Sequence, residues 1–138
     1  IILTSGAPYQ WYVISKSSLT LEEGKSSIWH FYLEGNPQAS HFPFPAILVA
    51  PSDELIVSLN ASNGFTFEWE GNDLDNDIKG YDFYLGTSSS SLNAEREAIT
   101  TQQVTLVLIP NTVYFWQIIS KDLQGNQSAS EIYQFQTQ

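Results

Sequence analysis

An antiparallel all-β sandwich is the fold this sequence predicts, and three observations predict it. Short β-branched and aromatic runs alternate apolar with polar residues, and clusters of Gly, Pro, Asn, Asp and Ser separate them. No window of a dozen residues repeats apolar positions at helical spacing between a cap and a stop. Of 138 residues 42% are hydrophobic and 14% aromatic, enough for a packed core in one domain, or in one domain and a piece of another.

In chain order, the first alternating stretches are Tyr9 to Lys16 and Ser27 to Phe31. They set Tyr9, Trp11 and Val13 of one strand, and Trp29 and Phe31 of the next, on single faces. Glu34 to Pro45 follows, with Pro37, Pro43 and Pro45, and has the composition of a linker. From Gly64 to Glu70 the alternation is strict, with Phe65, Phe67 and Trp69 on one side. Tyr81, Phe83 and Leu85 repeat it, then Tyr114, Trp116 and Ile118, then Tyr133 and Phe135. Half-buried strands so closely spaced belong to a sandwich or a barrel.

Charge and composition exclude several classes of partner. Five basic against fifteen acidic residues give −10 at pH 7, the wrong sign for gripping a phosphate backbone, so nucleic acid is not expected. Cysteine is absent, which removes disulfides, thiolate metal sites and cysteine nucleophiles. There is no apolar run long enough for a membrane span and no signal-peptide pattern at the start. Methionine is absent even at position 1, which reads as a piece of a longer product.

The chain also resembles itself. Tyr9-Gln10-Trp11-Tyr12-Val13-Ile14-Ser15-Lys16 aligns with Tyr114-Phe115-Trp116-Gln117-Ile118-Ile119-Ser120-Lys121. After a one-residue difference in the turn, Ser27 to Phe31 aligns with Glu131 to Phe135, and Ile1-Ile2-Leu3 falls against Leu106-Val107-Leu108. Such a repeat means tandem copies of one module, the first represented only by its last strands. The division is 1–34 for the partial copy, 35–45 for the linker and 46–138 for the complete copy.

These residues resemble the fibronectin type III family, as found in bacterial surface and secreted proteins. Leu108-Ile109-Pro110-Asn111-Thr112-Val113-Tyr114 is similar to the family's Leu-x-Pro-x-Thr-x-Tyr corner, where a buried Tyr hydroxyl ties back to upstream backbone. Trp69 matches the strand-B core Trp, and Asp82 to Thr87 the end of strand C. The first copy has Thr4-Ser5-Gly6-Ala7-Pro8 in place of the Leu-x-Pro corner. The resemblance implies an immunoglobulin-like sandwich preceded by an N-terminal hairpin. Its strands are 44–50 (A), 64–70 (B), 79–86 (C), 91–98 (C′), 103–109 (E), 112–121 (F) and 129–137 (G). Sheet A-B-E faces sheet C′-C-F-G, with Trp69 and Trp116 in the core.

Candidate chemistry is sparse. Asp73-Leu74-Asp75-Asn76-Asp77 imitates the opening of a calcium loop, with alternate oxygens able to converge on a hard cation. An EF-hand would need Gly and Glu where Ile78 and Tyr84 stand, so Asp73, Asp75 and Asp77 are a weak calcium candidate, and an Asp-rich turn capping its own backbone is the expected reading. Glu68 and Glu70 share an outward face with nothing to separate acid from base roles. His30 and His41 lack paired ligand spacing and are expected at the surface. Ser88 has no nucleophile elbow around it. Asn60-Ala61-Ser62 and Asn126-Gln127-Ser128 match the glycosylation sequon, expected to stay unmodified in a bacterial protein. No cofactor is expected.

Two surfaces are candidates for partners. The outer face of the C-F-G sheet would carry Tyr84, Phe115, Ile119 and Ile132, beside Gln117 and Gln134. It could contact the linker through Phe42 and Phe44, a protein partner, or a glycan. Tyr9, Trp11, Val13, Trp29 and Phe31 form an apolar face with no covering strands. They are expected to pair with a second copy of the chain, giving a homodimer through residues 1–34, with folding back onto the chain's own module as the rival. The expected function is a non-catalytic spacer or adhesion module of a larger bacterial protein, extracellular, at the cell surface or in the periplasm. The alternative is an accessory, possibly carbohydrate-binding, domain of a multidomain carbohydrate-active enzyme.

Overall fold

Alternation in the sequence becomes two facing sheets. The structure, a computed structural model, describes residues 2–18, 23–35 and 40–138; Ile1 of the repeat and Pro37 of the linker lie outside them. Every element among the described residues is a strand. The N-terminal part holds β1 (Ala7–Trp11), β2 (Ile14–Lys16), β3 (Glu23–Lys25) and β4 (Trp29–Leu33). The module holds β5 (Ile47–Ala50), β6 (Leu55–Val57), β7 (Gly64–Glu70), β8 (Ile78–Ser88) and β9 (Ser91–Ile99). It continues with β10 (Gln103–Val107), β11 (Val113–Asp122), β12 (Gln127–Ala129) and β13 (Tyr133–Thr137).

One sheet runs β10-β7-β5, the E-B-A order; the other runs β6-β13-β11-β8-β9, with β12 also on β11. Two details differ from the expected strands. Strand A begins at Ile47 and stops before Pro51, which has no N–H to continue a ladder. The chain then crosses to the other sheet, where β6 lies parallel to β13, Leu55 opposite Phe135. Strand G is broken at residues 130–132. There the Ser130 hydroxyl accepts the Ile118 N–H at 3.0 Å, taking the place of a backbone carbonyl.

The core forms where the two inner faces meet. Phe67 of β7 lies edge-on to Phe83 at 4.7 Å, Trp116 at 5.3 Å and Phe135 at 5.6 Å. Trp116 is fully buried and Trp69 2% exposed, as the alternation requires. Edge-to-face rings add to burial because the positive rim of one meets the negative face of the next. The tyrosine corner is present: the Ile109 N–H donates to the Tyr114 hydroxyl at 3.1 Å.

The N-terminal strands repeat the register of the F and G strands of the module. β1 pairs with β4 and sets Tyr9 opposite Phe31 and Trp11 opposite Trp29; β11 and β13 set Tyr114 opposite Phe135 and Trp116 opposite Tyr133. The Val13 N–H donates to the Ser26 hydroxyl at 2.9 Å, matching Ile118 and Ser130. The Thr4 N–H donates to the Tyr9 hydroxyl at 2.5 Å, so the corner closes without Leu-x-Pro. A hydroxyl meeting a backbone amide five residues upstream does not depend on the side chains between.

Burial, however, is inverted between the copies. The module's inner residues are covered by β7, but Trp11 is 48% and Trp29 58% exposed. The hairpin touches the rest of the chain with its opposite face. His30 stacks on Phe44 at 5.2 Å, and Tyr32 meets His41 edge-on at 4.7 Å. Lys25 reaches Glu131 at 3.2 Å, with its ammonium 4.0 Å from the Tyr12 ring centre and 5.7 Å from that of Tyr133.

Candidate functional site

The loop between β7 and β8 gathers three carboxylates. Asp73, Asp75 and Asp77 each bring an oxygen to within 4.8 Å of the others. Local geometry puts them there. Asp73 Oδ2 accepts the N–H groups of Asp75 at 3.1 Å and Asp77 at 3.2 Å, and Asn76 turns the chain with φ of 55°. Asp73 is buried, and Oδ1 of both Asp73 and Asp77 is without a hydrogen-bond partner. Burial, and then the neighbouring Asp77 carboxylate, push the Asp73 carboxyl above its ordinary value, against the opposing pull of the two backbone N–H donors.

Asp75 is held differently. It accepts the His41 backbone N–H at 2.6 Å and faces His41 Nδ1 at 2.8 Å. Those two hydrogen bonds hold its carboxyl below the usual range. Asp77 Oδ2 accepts from the Gln124 amide at 3.2 Å, and its carbonyl from the Leu123 N–H at 3.0 Å. The loop therefore joins the linker on one side to the turn after β11 on the other. Neither histidine is a free surface residue: His41 anchors this loop, and His30 is half-buried on Phe44, with its pKa lowered by that burial.

On the outer face of the larger sheet, Tyr84 and Ile119 line a shallow hollow of about 450 Å³ with Gln117, Gln127 and Ala129. Its remaining walls are charged: Asp82, Glu97 and Lys121. Asp82 is buried, paired with Lys121, and accepts the Ala98 N–H at 2.9 Å. Sequence reasoning set Asp82 in strand C without a partner; its pairing opposite Ile119 of β11 brings Lys121 to it. Phe115 is half-buried across from Gly86, and Ile132 is exposed at the break in strand G, outside the hollow. Phe44 does not lie on this face; it is buried beside His30.

The other candidates stay apart. Glu68 and Glu70 point outward from β7 and are exposed, and Ser88, exposed, ends β8 at the turn before β9, bonded to Ser90. Asp122, unremarked in the sequence, is buried and caps its turn, accepting from the Gln124 N–H at 2.9 Å, the Asn126 N–H at 2.7 Å and the Asn126 amide at 2.7 Å.

No family model matches the sequence, and no curated protein does. Solved structures do. A Fn3-like protein from Clostridium thermocellum superposes with a TM-score of 0.51 at 16% identity, over 73% of this chain and 96% of that one. A β-1,2-glucanase from Parabacteroides distasonis superposes with a TM-score of 0.54 at 12% identity, over 86% of this chain but only 16% of the enzyme. The fold is thus a fibronectin type III-like β-sandwich. No helix of the described residues is long and apolar enough to cross a membrane.

Proposed function

We propose that the chain is a non-catalytic module of a larger bacterial secreted or cell-surface protein, one of a tandem series that spaces or presents other domains. The observation that carries this reading is the repeated F–G element, with the same strand register and the same Tyr and Ser hydrogen bonds in each copy. A repeated unit of this kind extends a chain and leaves its loops and outer faces free for contact. Adhesion would use the hollow at Tyr84 and Ile119, or the loops.

A second reading is favoured by the glucanase likeness: an accessory domain beside a carbohydrate-active catalytic domain. Affinity electrophoresis in gels containing soluble β-1,2-, β-1,3- and β-1,4-glucans separates the two. Mobility unchanged in every glucan supports the spacer reading. Retardation that is lost in Tyr84→Ala overturns it in favour of the accessory one.

A further inference from the structure

The loop from Asp73 to Asp77 holds two oxygens that its own fold does not use. An Asp-rich turn spends a carboxylate on capping its backbone, and Asp73 Oδ2 does so with the N–H groups of Asp75 and Asp77. Asp73 Oδ1 and Asp77 Oδ1 have no such role. Both atoms are buried without a hydrogen-bond partner, and Asp73 as a whole is only 4% exposed. Among the described residues no lysine or arginine pairs with either carboxylate; Lys25 goes to Glu131 and Lys121 to Asp82. An enclosed carboxylate oxygen is costly unless a donor, a proton or a cation meets it.

We propose that this loop binds one calcium ion through Asp73 Oδ1 and Asp77 Oδ1, with Asp75 as the third protein ligand. Two oxygens bound to one calcium at ~2.3–2.6 Å cannot lie more than ~5 Å apart. The three carboxylates meet that limit, each bringing an oxygen to within 4.8 Å of the others. Asp75 keeps its two bonds to His41 and still has lone pairs free, since a carboxylate offers about four. The donors are all carboxylate oxygen, which selects a hard cation over zinc or copper. Magnesium demands a near-ideal octahedron, and these carboxylates are tied to His41, Gln124 and their own turn; calcium accepts an irregular set. Water completes the shell from a hollow of about 340 Å³ that Asn72, Asp73 and Asn76 line together. Burial and the Asp77 carboxylate raise the Asp73 carboxyl, and this is the conflict of charge that the cation relieves.

The test titrates calcium chloride into the full chain after chelator treatment, at pH 7 and about 0.15 M salt, so that the net charge of −10 is screened. Calorimetry is expected to show a single saturable site. Millimolar calcium should raise the melting temperature by several degrees, because an ion held only by the folded chain stabilises it. Asp73→Asn and Asp77→Asn should each weaken binding about tenfold or more and remove the shift. Glu68→Gln, at an exposed carboxylate of β7, should change neither. Near-ultraviolet circular dichroism in chelator checks that each variant is folded, and either aspartate variant suffices if the other is not. A chain that shows neither heat nor shift overturns the proposal. So does binding that survives the aspartate substitutions, or that Glu68→Gln weakens as much. An equal shift with magnesium overturns the choice of calcium.

Discussion

Tyr9 and Tyr114 close the same corner in two copies of one element, each hydroxyl taking the backbone N–H five residues upstream, from Thr4 and Ile109 respectively. Their surroundings differ: Tyr114 is buried against Phe135 at 5.6 Å, and the bonds of Tyr9 lie in an exposed setting. Tyr114→Phe should therefore lower global stability by about 0.5–1.5 kcal/mol, the net worth of one hydrogen bond. Tyr9→Phe, measured by urea unfolding under monomeric conditions, should change it by less than ~0.5 kcal/mol.

The same contrast holds for large rings. Phe67→Ala or Trp116→Ala should cost ~3–5 kcal/mol, because each leaves a cavity at the meeting point of several aromatics. Trp29→Ala, at low protein concentration, should leave the module's unfolding midpoint unchanged. Urea titrations of the three variants decide this. A large loss from Trp29→Ala in the monomer would mean that the hairpin and the module unfold as one unit.

Asp73 and Asp75 should titrate with opposite consequences. The Asp73 carboxyl is raised in the fold, so its contribution is favourable below the ordinary aspartate value of ~3.9 and is lost as pH rises through the raised one. Asp75 is lowered by His41, so its contribution is present above the ordinary value and is lost as pH falls through the lowered one. Asp73→Asn keeps an acceptor for the two backbone N–H groups and gives Asp77 Oδ1 a donor. Its melting temperature in chelator at pH 7 should exceed that of the native chain. Millimolar calcium should raise the native melting temperature and leave that of Asp73→Asn unchanged. A native chain indifferent to calcium would mean that the two unpartnered oxygens share a proton instead.

Lys25 joins the hairpin to the module through Glu131 and the rings of Tyr12 and Tyr133. Its pKa is raised: burial acts to lower it but is outweighed by the bond to Glu131 and the nearby charges. Glu131 is more accessible than a buried partner, so the pair is worth at most ~1 kcal/mol and weakens with salt. Lys25→Ala should thus leave the module's unfolding unchanged but speed hydrogen exchange at the amides of β1 and β4. Unchanged exchange would assign the docking to His30 and Phe44 instead.

Most of the sandwich was legible in the sequence because its inner faces follow a period of two. Phe65-x-Phe67-x-Trp69 and Tyr114-x-Trp116-x-Ile118 announce both strand and orientation, whatever they pack against. The parallel strand at Leu55–Val57 was not legible. Only three residues long, it exists because β13 offers an unpaired edge, a property of the assembled sheet. The acid loop was partly legible: spacing brought Asp73, Asp75 and Asp77 to notice, but His41 comes from the linker, 34 residues earlier.

What the sequence determined alone is the likeness of two stretches: runs with the same alternation take up the same strand register, since local register needs no outside partner. What only the tertiary structure decided is which face of each hairpin is covered. In the second copy β7 lies across it. In the first, the linker carries His41 and Phe44 back to the other side, where they meet Tyr32 and His30. Burial depends on where distant segments travel, and alternation marks two faces without saying which of them a neighbour will reach.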